Sequence, residues 1–251
     1  MRSLFLTFCF CSVMTFLWSQ DGDKKAVGVH LNGNFQMGIP IDEFSDNLND
    51  VGFGGGGLIV FKIGETPVYA GIELSGMIFD AETIDYTVNI GGFFEDYELK
   101  TNNSIFLGHA VFRFAPTITF PIRPYIDGMV GFKNLYTRTK LINLDDLDQD
   151  NNEDSRIDSG DWAFSYGGAI GFQFNIFGNP AITLDLRCAY LPGTNASYLV
   201  RKAGSDNEVF DEPIDAFEEK SSITTLLMPQ LGITFNLGPL SDKGEEGGYT
   251  Y

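Results

Sequence analysis

Residues 162–177 read WAFSYGGAIGFQFNIF, and this stretch decides the fold. Its even positions (Trp162, Phe164, Tyr166, Gly168, Ile170, Phe172, Phe174 and Ile176) are apolar or small, while the odd positions include Ser165, Gln173 and Asn175. That is the period-two pattern of a β-strand. Sixteen residues at roughly 3.3 Å each would span about 50 Å, well beyond the usual strand of about 5–6 residues. One face carries five aromatics and no charge, so it must meet something thick and oily. The candidates are the core of a large soluble sandwich and a bilayer, which a strand crosses in about 9–11 tilted residues.

Working outward, the same alternation recurs. It is read over 27–37, 68–79, 104–115, 124–140, 181–190 and 222–237, with a glycine-opened strand over 54–63. Eight strands result. The connections at 38–53, 80–103, 141–161 and 191–221 are long and hold most of the acidic residues, whereas those at 64–67, 116–123 and 178–180 are short. Residues 80–103 keep a strand-like alternation that breaks at Gly91-Gly92, as expected of a hairpin standing above the barrel. Long loops at one end and short turns at the other are the mark of an outer-membrane barrel. No clear outward face carries a charge. Seven inward positions are ionisable: Glu73, His109, Arg113, Asp127, Lys133, Asp185 and Arg187. Tyr136, Trp162 and Tyr190 are placed for one aromatic girdle, and Phe61, Phe114, Phe174 and Phe235 for another.

Bulk properties fit. Residues 1–19 pair one early arginine with an apolar run and end on Ser19, the outline of a secretory signal peptide. Its removal takes Cys9 and Cys11, leaving Cys188 alone and no intrachain disulfide. The 251 residues carry 16 basic and 34 acidic side chains, a net charge of −18, which excludes nucleic acid as a partner. The domain reading is signal peptide at 1–19, barrel at 20–237 and polar periplasmic tail at 238–251.

The chain resembles the small outer-membrane β-barrel proteins common in Bacteroidetes, which share their architecture with OmpX, OmpA and OmpW. The resemblance is carried by the signal segment, by RPYIDGMVGF at 123–132 and by the closing MPQLGITFNL at 228–237. It implies an all-β fold, an eight-stranded antiparallel transmembrane barrel in the bacterial cell outer membrane. Two features depart from it. A polar tail separates the last strand from Tyr251, and Pro229 lies inside that strand, where a closed ladder has no free edge for it and a bulge is expected.

Residues 150–161 follow the spacing of a calcium loop. Asp150, Asn152, Asp154, Asp158 and Asp161 fall at its first, third, fifth, ninth and twelfth positions, although Ser155 replaces the usual glycine. A solvated acidic loop is the competing reading. No other cofactor is implied. The inward charges are nearly balanced, and an eight-stranded barrel is only wide enough for its own side chains. They are read as a salt-bridged plug, with Arg113, Asp127, Asp185 and Arg187 at similar depth. His30 and His109 both face inward and build no catalytic constellation, so an enzyme is not expected. The expected role is structural or interactive, with outer-membrane lipid, lipopolysaccharide and a periplasmic or surface protein as partners. A narrow OmpW-like, porin-like channel for small or apolar solutes and an accessory barrel of a secretion or surface-assembly complex are the alternatives. A soluble lipocalin-like cup is the rival fold.

Overall fold

The structure, a computed structural model, describes residues 28–48, 50–90, 93–116, 122–143, 153–176, 179–201 and 217–237. The signal segment, the polar tail, Asp150 and Asn152 lie outside them. In chain order the elements are β1 (Val29–Ile41), α1 (Glu43–Asn47), β2 (Gly52–Lys62), β3 (Val68–Ile90), β4 (Phe93–Phe114), β5 (Ile122–Asn143) and β6 (Glu153–Ile176). They continue with β7 (Asn179–Leu191), β8 (Asn195–Arg201), β9 (Phe217–Ile223) and β10 (Thr225–Leu237). Eight strands close a barrel in the order β1-β10-β7-β6-β5-β4-β3-β2, and β8 with β9 forms a separate two-stranded sheet. Every barrel neighbour is antiparallel, and the seam runs from Val29 opposite Leu237 to Ile41 opposite Thr225. The eight-stranded reading of the sequence holds.

Alternation sorts the side chains along the deciding stretch. Trp162 is 61% exposed and Ile170 60%, whereas Ser165 is 0% and Ala163 1% exposed. Leu74, Phe112, Ile126, Leu186, Leu231 and their neighbours continue this apolar outside around the wall. Water would penalise such a surface at roughly 25 cal/mol per Å². Hydrocarbon would not. No helix among the described residues is long and apolar enough to cross a membrane; the strands are.

Strand length departs from the sequence reading in one direction. β3 and β4 shift register once, between Ile78 and Asp80, and then stay paired from Asp80 opposite Asn103 to Ile90 opposite Phe93, so the expected hairpin is present as an extension of both strands. β5 runs to Asn143 and β6 starts at Glu153, which shortens the expected 141–161 loop. The 191–221 connection holds β8 and most of β9, and the 38–53 connection holds α1 and the outer end of β1. Polar composition marks where strands meet water, and an established ladder continues there at no desolvation cost. The bulge expected at Pro229 is absent. Pro229 stands opposite Cys188 in an unbroken β10–β7 ladder. On the β1 side pairing lapses after Gln36 opposite Gln230 and resumes in the same register at Ile39 opposite Leu227. The missing N–H thus costs a gap, not a shift.

The upper end is capped. Phe44 of α1, fully buried, packs edge-on to Tyr198 of β8 at 5.3 Å and against Phe79 of β3 at 6.2 Å. Phe79 reaches inward by the same alternation that buries Glu73, Ser75 and Met77 on β3. Beneath the cap a cavity of about 20 Å³ remains, lined by Leu48, Ile105 and Leu135 among others, which is room for about one water.

Gly167, in the deciding strand, has φ +151°, and a Cβ there would collide with the Tyr190 carbonyl oxygen. Gly167→Ala should therefore lower the stability of the refolded barrel by at least about 1–3 kcal/mol. A shift of the urea midpoint of the folded, heat-modifiable form on gels measures it, and an unchanged midpoint would contradict the close approach of β6 and β7.

Candidate functional site

All seven ionisable residues singled out in the sequence are buried inside the barrel, none more than 6% exposed. Register explains how they meet. Arg113 on β4 and Asp127 on β5 are direct cross-strand partners, so their side chains share a face and reach each other without bending. They form a forked pair, Nε donating to Oδ1 at 2.8 Å and Nη2 to Oδ2 at 2.9 Å. The Arg113 guanidinium also lies 3.7 Å over the Tyr125 ring, a favourable cation–π geometry.

From the opposite wall Arg187 of β7 completes a chain across the lumen. Its Nη2 lies 3.0 Å from Asp127 Oδ2 and its Nη1 donates to Glu73 Oε2 at 2.7 Å. Arg187 Nη1 also donates to Gln230 Oε1 at 2.9 Å. Gln230 Nε2 in turn reaches Glu73 Oε1 at 3.3 Å and Gln36 Oε1 at 3.2 Å. Arg113, Asp127, Arg187, Glu73, Gln230 and Gln36 thereby tie β4, β5, β7, β3, β10 and β1 together.

Two residues behave otherwise than the balanced-charge reading expects. Asp185 is held by neutral donors: Tyr125 Oη at 2.5 Å, Thr234 Oγ1 at 3.0 Å and Gln173 Nε2 at 3.1 Å. Gln173 is its cross-strand neighbour. Lys133 takes no carboxylate among the described residues either. Its Nζ donates to the Leu191 carbonyl at 2.7 Å and to the Thr224 carbonyl. His109 stands opposite Glu73 in register and shares a 2.9 Å hydrogen bond with Ser165 Oγ. Ser165 is fully buried, so this pair faces packed side chains and not an open site.

Tyr125, Gln36, Gln173, Gln230 and Thr234 were missed as members of this network. The signal was available, since Tyr125 has the parity of Asp127, Gln173 that of Ser165, and Gln36 that of His30. Of the proposed calcium ligands, Asp154 is paired within β6 to Leu141, and Asp158 falls at the register shift between Ile157 and Ser159. Asp161 accepts from the backbone N–H groups of Trp162 and Ser197, both at 2.8 Å. It ties the base of β8 to β6. Among the described residues no group of three or more His, Cys, Asp or Glu is placed to hold a metal.

A closed antiparallel barrel with an apolar outside and a polar, filled inside is the inverse of a soluble sandwich. It defines the class: a transmembrane β-barrel, which in bacteria belongs to the outer membrane. No protein-family model matches the chain. No curated protein matches it in sequence. Among solved structures it is similar to neisserial surface protein A, NspA, at 9% identity and TM-score 0.37, covering 83% of this chain and 96% of that one. It is similar to a major outer membrane protein of Thermus thermophilus at 12% identity and TM-score 0.41, covering 83% and 98%. Ail, the attachment invasion locus protein of Yersinia pestis, follows at 12% identity and TM-score 0.33, covering 84% and 99%. The barrel assignment rests on the closed register of this chain's own strands.

Asp127 serves both arginines. Asp127→Ala should cost about 3–5 kcal/mol of folding free energy, because it leaves buried cations short of their partner. Arg113→Met combined with Asp127→Leu should recover much of that loss. Urea titrations of the three barrels test this, and equal stability of single and double variants would contradict a coupled pair.

Proposed function

We propose that the protein is a bacterial outer-membrane barrel of the small Bacteroidetes type with a closed lumen. Its work is structural and interactive at the cell surface, neither catalytic nor conducting. The observation that carries this reading is the chain from Arg113 through Asp127 and Arg187 to Glu73 and Gln230, which crosses the interior. The cap of Phe44, Phe79 and Tyr198 supports it from above. A narrow channel would need these interactions to open. They link five strands at once, which makes partial opening expensive.

Orientation follows from the connections. The long ones face outward, and the start of β1 and the end of β10 lie toward the periplasm. The outward end is also the built end: the β3–β4 extension, the β8–β9 sheet and α1 all lie there. Surface for partners is concentrated on that side, as an interactive role requires.

Planar-bilayer recording of the refolded barrel tests this, with insertion verified by heat-modifiable mobility. The inserted wild-type protein should show no steady single-channel current. A steady current that changes in Glu73→Ala or Arg113→Ala would make the lumen a pathway and overturn the closed reading.

A further inference from the structure

A groove of about 350 Å³ lies on the outside of the barrel wall near the long-connection end, in a part of the molecule that the lumen does not explain. It is built by register. Phe53, Ile78, Ser104 and Tyr136 stand side by side on β2, β3, β4 and β5. Phe53 and Ile78 are half exposed, while Ser104 is small, which leaves a dent between Ile78 and Tyr136. Gly76 below Ile78 has no side chain and deepens it. Above this rung Asn102 stands opposite Arg138, and both line the groove.

The chemistry changes along its length. Below the rung, the outward positions of β3, β4 and β5 are apolar or neutral down to the turns, with Ile72, Leu74, Phe106, Phe112, Val130 and Phe132 exposed. Arg138 is the first charged outward residue of β5 met on leaving that apolar band. It is exposed and has no ion pair among the described residues. Tyr136 beside it is an amphipathic ring of the kind that sits at headgroup level. An isolated guanidinium there, on a chain of net charge −18, attracts one class of neighbour: an anion delivered from the lipid side. Arginine suits a phosphate because its planar fork donates two parallel hydrogen bonds.

We infer that this groove is a docking site for an outer-leaflet lipid whose headgroup carries a phosphate monoester. One acyl chain would lie in the trough between Ile78 and Tyr136, with the phosphate against Arg138 and Asn102. The inference rests on the outer-membrane reading above.

The test compares lipid retention by native mass spectrometry after detergent exchange. The full refolded chain is loaded with bisphosphorylated lipid A, with phosphate-free lipid A or with phosphatidylethanolamine. Bisphosphorylated lipid A should be retained in preference to the other two. Arg138→Gln should reduce its retention about tenfold, the loss of roughly one charge-assisted interaction. Gly76→Leu should fill the trough and also reduce it. A Cβ at Gly76 meets only the Ile105 carbonyl oxygen, at 3.9 Å, so that barrel still folds. Retention unchanged in both variants, equal retention of the phosphate-free lipid, or a second copy of the chain in place of lipid would each overturn the site. Insertion into vesicles is scored first by heat-modifiable mobility. A chain that never inserts would sink the membrane reading itself, whereas an inserted barrel with unselective retention sinks only the groove.

Discussion

A sheet in hydrocarbon can leave no backbone N–H or C=O unpaired, since each orphan costs several kcal/mol there. Everything else in this chain answers to that constraint. It forces β1 to meet β10, two strands from opposite ends of the sequence, in one continuous register. Pro229 sits in that seam. Its missing donor is confined to a short lapse opposite Met37 and Gly38, toward the upper end of β1, while its other neighbour β7 pairs without a break. A proline lower in the seam, deep in the apolar band, would have had no water within reach.

Closure alone does not choose a register, and here the interior charges contribute. A slip of one residue turns every side chain to the opposite face. For β4, β5 or β7 such a slip would send Arg113, Lys133 or Arg187 into lipid, at about 2–4 kcal/mol each near mid-depth. Buried ion pairs add little net stability because desolvation offsets their attraction. Their effect is on specificity. The cross-strand placement of Arg113 and Asp127 fits the correct pairing and penalises its neighbours.

Alternation made the barrel legible, together with the inward set from Glu73 to Arg187, because a bilayer enforces period two more strictly than a one-sided soluble sheet does. Three things were not legible. Strand ends were missed wherever polar residues continue a ladder into water, as at Asp80 and Asn103. The partners of Asp185 were missed because Tyr125, Gln173 and Thr234 carry no charge to draw attention, although parity places all three inside. The cap was missed because Phe44 lies in a polar segment and meets Tyr198 only across a sequence separation that no local pattern records.

Lys133 shows why a charge count inside a barrel misleads. Counted with the arginines it balances three carboxylates, yet it touches none of them. β7 gives way to β8 around Pro192 and Gly193, and β9 gives way to β10 at Thr224. Each junction has a carbonyl that accepts from Lys133, Leu191 at the first and Thr224 at the second. Buried carbonyls need a donor. The Lys133 ammonium has three and reaches both. Thr194 and Thr224 finish the repair, with Thr194 exchanging hydrogen bonds with the Phe164 backbone and accepting one from Thr224 Oγ1. The lysine is therefore a donor to the backbone where β7 ends and β9 gives way to β10, a role that no charge count reveals.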